Sequence, residues 1–193
     1  MPRVVDPEAR RSQLTEATAR TIASRGLDGL TMRDVARSAG WTTGALSHYF
    51  VDKNDLLVAT FRSRADLARM RLDAALAAGK SLMEAVVESA LPLDEERATN
   101  WRVFLAFWGS AIGDEALTTA QRERHQAFNR TVVRAVRAEQ TAGCIRADVD
   151  AAVAGRRLVA LLNGIAVQSM FEPTRWPPDE QVRCVTDHLA GLA

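Results

Sequence analysis

Six prolines and eleven glycines cut this 193-residue chain into pieces of helix length. No piece between them alternates apolar and polar residues as a half-buried strand would. The pieces are built from 33 Ala, 23 Arg and many Leu, with a single Tyr. These residues lose little on entering a helix, so the sequence predicts an all-α fold. Start and stop signals agree with that reading. Asp6-Pro7-Glu8 combines a capping carboxylate, a proline at the first helical position and an acid near the positive dipole end. Leu14, Ala17, Thr18 and Ile22 follow on one face, and Arg25-Gly26 is the stop. Thr31 caps a short helix that Gly40 ends; Thr42 or Thr43 caps a second, running to about Tyr49; Asp52 opens a third piece over 53–78. Further helices are predicted over 81–91, 94–112, 114–142, 148–171 and 178–192.

Several classes fall away. The longest uncharged apolar-rich stretch, 158–171, has 14 residues and includes Asn163, Gln168 and Ser169; a spanning helix needs about 20. The opening Met-Pro-Arg-Val-Val-Asp has no apolar run of leader-peptide length. Cys144 and Cys184 stand far apart, without CxxC spacing, and are expected as reduced thiols in a cytoplasmic protein. The net charge of +1 argues against a non-specific nucleic-acid coat, which needs many uncompensated cations.

Residues 30–53 carry the most specific pattern, LTMRDVARSAGWTTGALSHYFVDK. It reads as two short helices joined by a tight turn at Ala39-Gly40-Trp41, where Gly40 supplies a positive φ. Val35, Ala36, Ala39, Trp41, Leu46 and Phe50 form a small apolar centre with Leu14, Ile22 and Leu30. The second helix then turns Thr43, Gly44, Ala45, Ser47 and His48 outward, side chains small enough to approach base edges in a major groove. Thr31, Thr42, Tyr49 and Lys53 fall at helix ends, where hydroxyls, an ammonium and free N–H groups suit phosphates. Arg3, Arg10 and Arg11 are candidates for an arm beside the duplex, or for a solvated terminus. Residues 1–53 carry eight cations against six anions, a modest excess that fits a specific reader with few phosphate contacts.

Thr31-Met-Arg33-Asp-Val-Ala36, then Ala39-Gly40-Trp41-Thr42-Thr43-Gly44-Ala45-Leu46-Ser47-His48-Tyr49-Phe50 and Lys53, resembles the DNA-binding segment of TetR-family repressors over about residues 7–60. The resemblance implies that Arg33, Thr43, Gly44, Ala45, Ser47 and His48 face the groove while Thr31, Thr42, Tyr49 and Lys53 hold the backbone. Trp41 replaces a smaller apolar residue usual at the turn, which alters packing; Ser47 replaces a frequent aromatic residue, which alters base preference.

The second half shows no metal-ligand spacing, no catalytic Ser/His/Asp order and no Gly-rich phosphate loop. Neither a metal nor a cofactor is implied, and an all-helical enzyme is the weaker alternative. Trp101, Phe104, Leu105, Trp108 and Ile112 share one helix face, as do His125, Phe128, Val132 and Val136. Most such residues pack cores. A ligand pocket built here takes Trp101, Phe104, Trp108 and Phe128 as walls and His125, Asn129, Asn163 and Gln168 as polar groups. Leu105-Ala106-Phe107-Trp108 followed by Gly113-Asp114-Glu115-Ala116-Leu117 is similar to the C-terminal domain of the BetI-like branch of the same family. That branch is linked to choline-type and other small amphipathic effectors, which implies an aromatic box for an organic cation.

The last two helices look partner-seeking. Leu158, Val159, Leu161, Leu162, Ile165, Val167 and Phe171 surround most of one, and Val182, Val185, Leu189 and Leu192 form a narrow seam on the other. Two such helices from each chain predict a homodimeric four-helix bundle, as the family resemblance also implies. The expectation is therefore a helix-turn-helix DNA-binding domain over 1–55 and a ligand-binding and dimerisation domain over 56–193. Its function is read as a transcriptional repressor, released from a palindromic double-stranded operator by a small-molecule effector. The alternative is a helical small-molecule-binding or interaction protein without DNA binding.

Overall fold

A computed structural model describes residues 6–27 and 30–193; Arg3 lies outside them. Among the described residues there are nine helices and no strand: α1 (Pro7–Arg25), α2 (Met32–Ala39), α3 (Thr43–Ser47), α4 (Lys53–Ala77), α5 (Leu82–Ala90), α6 (Glu95–Ala111), α7 (Glu115–Thr141), α8 (Ala151–Phe171) and α9 (Pro178–Ala190). The expected caps are in place. Asp6 accepts from Glu8 N at 3.0 Å, and Pro7 opens α1. Ser81 and Glu84 close a reciprocal capping box on α5. The sequence placed the start of α8 at Asp148, three residues too early. Asp148 instead pairs with Arg146 at 3.3 Å in a turn, and Asp150 caps the helix through Ala152 N and Val153 N.

The chain forms two compact units that do not follow a single cut at residue 55. The first holds the described residues up to Ala65 together with Arg102–Gln121; the second holds Asp66–Trp101 and Arg122–Ala193. Leu14, Ile22, Leu30, Val35, Leu46 and Phe50 form the first core, as expected, but Leu56, Leu57 and Val103 complete it. Phe61 of α4 stacks on Phe107 of α6 at 3.8 Å between ring centroids and meets the edge of Phe104 at 5.6 Å. The buried Arg64 bonds Glu16 of α1. The small helical head thus acquires a wall from later sequence, because three short helices bury too little apolar surface alone.

The second core gathers Leu72, Leu82, Val86, Leu91, Val132, Val136, Leu158, Leu162, Ile165 and Val185. Much of the apolar surface expected to await a partner is spent here. Leu158, Val159, Leu162 and Ile165 are buried within the chain, Val185 is fully buried, and Leu189 and Leu192 pack against the same core. The exposed side of α8 is left with Arg157, Ala160, Gly164, Gln168 and Phe171, while Leu161 and Val182 are half-buried. The seam on α9 faces α5 and α8 because thirteen residues of helix must first be secured to their own bundle.

Gly155 of α8 packs directly against Val133 of α7. A Cβ there would lie 2.6 Å from Val133 Cγ2 and 3.5 Å from the Val133 backbone. A β-branched neighbour has no rotamer to retreat into cheaply. Gly155→Ala is expected to destabilise the protein by about 1–3 kcal/mol despite alanine's better helix propensity. Urea unfolding measures it; a stabilised variant would show that the helices separate without cost.

Candidate DNA-binding interface

Five residues are too few for a helix to persist alone, so α3 stands because its surroundings hold it. Thr42 caps it, its Oγ1 accepting from Ala45 N at 3.1 Å. Leu46 is fully buried and roots the helix in the head's core. Gly40, at φ 73° and ψ 27°, turns the chain between α2 and α3, and Trp41 N donates to Ala36 O at 2.7 Å. With Leu46 inward, Thr42, Thr43, Gly44, Ser47 and His48 are exposed and Ala45 is half-buried. Ser47 Oγ donates to Thr43 O at 3.1 Å, leaving its lone pairs outward. Arg33 is exposed on α2.

The backbone-holding candidates divide. Thr31 is exposed, but its Oγ1 donates to Asp34 Oδ2 at 2.5 Å and accepts from Asp34 N at 3.2 Å. Thr31 is thus the N-cap of α2, and its hydroxyl is committed there. The Thr31 hydroxyl also holds the Asp34 carboxyl below the usual aspartate range. Lys53 opens α4 and its Nζ lies 3.4 Å from Leu27 O. Tyr49 is half-buried, its ring edge-on to Trp41 at 5.7 Å between centroids.

Arg10 and Arg11 are not an extended arm. Both belong to α1; the Arg10 guanidinium lies 4.8 Å from the centre of the Trp41 ring, and that of Arg11 lies 4.4 Å from the centre of Phe50. Arg11 also donates to Tyr49 O at 2.6 Å and approaches Asp55 at 3.6 Å, while Asp55 accepts from Val51 N. One guanidinium therefore ties α1 to the exit of α3 and the entrance of α4.

The ligand candidates fall in both units: Phe104 and Trp108 in the first, the other six in the second. Trp101 is buried, and its indole N–H donates to Ala90 O at 2.7 Å, bracing α6 against the end of α5. Phe104 is buried against Phe61; Trp108 is half-buried. Ile112, expected to continue this face, is 87% exposed because α6 stops at Ala111 and Gly113 turns the chain. Phe128 packs on the second core, Asn163 is half-buried and Gln168 is exposed. Asn129 lines an open groove on α7. Among the described residues, no helix is long and apolar enough to cross a membrane, and no cluster of three or more His, Cys, Asp or Glu could hold a metal.

His125 is half-buried beside Arg124, whose own pKa burial pushes down to about 10. Burial, then the Arg124 charge, hold the His125 imidazole below its ordinary 6.5. Its unfolded form therefore takes a proton first, so its contribution to stability is complete above pH 6.5 and drains as pH falls through the folded value. His125→Gln should lose less stability than the parent between about pH 6.5 and 5. Urea midpoints across that range test it; parallel curves would assign the acid sensitivity elsewhere.

Residues 14–60 match the sequence profile of bacterial regulatory proteins of the tetR family, and residues 79–193 match that of the C-terminal part of BetI-type transcriptional repressors. The chain belongs to the TetR family. It is a DNA-binding transcriptional regulator, and its relatives are regulators rather than enzymes. It is 30% identical to the regulator BetI of Pseudomonas paraeruginosa over 98% of this chain and 95% of that one. Identity to the regulator PksA of Bacillus subtilis is 27%, over 100% of this chain and 94% of PksA. Among solved structures, a transcriptional regulator from Saccharomonospora viridis in complex with choline superposes with a TM-score of 0.83 at 24% identity, covering 93% of this chain and 95% of that one. A regulator from Pseudomonas aeruginosa PAO1 gives 0.82 at 24%, covering 98% and 92%.

Within this TetR-family head, sequence reasoning missed Asp55 and read Arg11 as part of an arm rather than as a tie between helices. The signal was faint: an arginine in the first helix facing in register with the carbonyl end of another is visible only once α1 is folded against α3.

Proposed function

We propose that this TetR-family regulator is a cytoplasmic repressor that binds a palindromic operator as a homodimer and is released by a small organic effector. The observation that carries the reading is the exposed face of α3, Thr43, Gly44, Ser47 and His48, raised on a buried Leu46 and clamped at its exit by Arg11. Small side chains on a fixed helix let the backbone enter a major groove, with Arg33, Ala45 and His48 at base edges. Thr42, Tyr49 and Lys53 flank that face as phosphate ligands, and Thr31 orders α2 beside them. The dimer is read on α8 and α9, where Ala160, Gly164 and Phe171 are exposed.

The effector site is read on Trp101, Phe104, Trp108, His125, Phe128, Asn129, Asn163 and Gln168. An organic cation suits the aromatic faces, and choline occupies the structurally similar S. viridis regulator. Helix α4 contributes residues to both compact units and is the proposed lever. An effector that favours the arrangement with misplaced recognition helices drains the DNA-competent population.

A gel shift with duplex from the region flanking its own coding sequence tests the operator reading. The expected result is a salt-sensitive specific complex, lost in Thr43→Ala/His48→Ala and weakened in Tyr49→Ala and Lys53→Ala. No specific complex at moderate salt would overturn it. A rise in melting temperature with choline-type cations supports the effector class, and no rise across such cations would remove it.

A further inference from the structure

The second unit carries an arginine-lined groove that the operator reading does not use and the aromatic effector reading touches only at Asn129. Arg130, Arg134 and Arg137 recur at i, i+4 and i+7 on α7, Arg156 joins them from α8 and Arg69 from α4, around a volume of about 840 Å³. Five guanidinia share one concavity in a chain whose net charge is only +1. Asp73 answers Arg69 at 3.2 Å and Arg134 at 3.7 Å, and Asp66 answers Arg69 at 3.3 Å. Asp150 feels Arg156 and Arg137, but its carboxylate is engaged with the first N–H groups of α8. Among the described residues, Arg130, Arg137 and Arg156 have no carboxylate within 4.0 Å. Like charges at i, i+4 and i, i+3 oppose one another on a helix, so the arrangement is destabilising until an anion fills it.

We propose that this groove binds a small organic polyanion, a phosphate ester. Guanidinium forks match phosphate oxygens two at a time, and three uncompensated forks suit at least two negative charges. Asn129 supplies the second element: its Oδ1 is buried without a hydrogen-bond partner among the described residues, and it lines the same groove. A buried carbonyl oxygen calls for an N–H or O–H donor, which the ligand's hydroxyl or amine supplies. Val133, Ala127 and Ala152 add apolar floor for a carbon skeleton. The volume falls within the small-ligand range of roughly 300–1,000 Å³, rather than calling for a long peptide. This site shares only Asn129 with the effector reading and does not depend on it.

Isothermal titration of the full chain with inorganic pyrophosphate, at constant ionic strength and against sulfate, tests the charge. The expected result is saturable binding at one site per chain, weakened about tenfold by Arg130→Gln and by Arg156→Gln and unchanged by Arg20→Gln on α1. Ribose 5-phosphate should bind more tightly than inorganic phosphate, and Asn129→Leu should remove that advantage. No saturable heat up to about 1 mM pyrophosphate, or equal affinities in parent and arginine variants, would overturn the proposal. So would a loss of operator affinity in those variants with pyrophosphate binding intact, which would make the groove a duplex contact.

Discussion

Arg11→Met is expected to weaken operator binding about a hundredfold while leaving the slope of log affinity against log salt unchanged. The argument rests on what the guanidinium touches. Its bond to Tyr49 O at 2.6 Å is a charged donor on the carbonyl end of a five-residue helix, a class of bond contributing about 1.5–3 kcal/mol. The ion pair with Asp55 is 3.6 Å long and more than a third exposed on both sides, so it adds little. Without the tie, α3 samples orientations in which Thr43, Ser47 and His48 miss the bases they are proposed to read. About tenfold is lost for each head, and in the proposed homodimer two heads dock on a palindrome. A phosphate ligand would behave differently, because its removal lowers the salt slope by about one per contact. Arg11→Lys keeps the charge and loses the fork, so it should recover little affinity. A reduced slope in Arg11→Met would return Arg11 to the DNA backbone and end the positioning role.

Phe61→Ala carries the largest expected loss of stability. Phe61 is fully buried, near-parallel to Phe107 with 11° between the rings, and edge-on to Phe104 at 72°. Truncating such a side chain forfeits transfer free energy and leaves a cavity, together about 3–5 kcal/mol. For a chain of this size each kcal/mol lowers the melting temperature by about 2–4 °C, so a fall of about 10 °C is expected. Phe61→Leu refills most of the space and should cost less than half as much. Calorimetry on the three proteins decides: a loss below about 1 kcal/mol would mean that Phe104 and Phe107 close the gap unaided.

The local instructions were legible because they act over three or four residues. Asp6, Thr31 and Ser81 announce helix starts, Gly40 announces the turn, and Leu14, Val35, Leu46 and Phe50 announce the head's core. Family membership was legible for the same reason: it sits in one unbroken stretch. What stayed hidden depends on residues brought together by packing. Arg10 and Arg11 look like a basic arm until Trp41 and Phe50 are placed beneath them. Val185 and Leu189 read as an unpartnered seam because periodicity reports that a face is buried, without saying against what. Gly155 resembles an ordinary helix-weakening glycine until Val133 lies across it. The groove arginines were visible at positions 130, 134 and 137, but a charged stripe on a helix usually faces solvent, and only Arg69 and Arg156 make it concave.

The wall lent to the head by Arg102–Gln121 limits how such a regulator can be recombined. A reading head transplanted as one continuous N-terminal segment would leave Val103 and Phe107 behind, and with them the cover over Leu56, Leu57 and Phe61. A chimera that exchanges DNA specificity must therefore either carry two segments or alter only the outward residues of α3. With Thr43, Ser47 and His48 as the proposed reading residues, drift in operator preference is cheap on that exposed face, whereas inheritance of the head as a cassette is not.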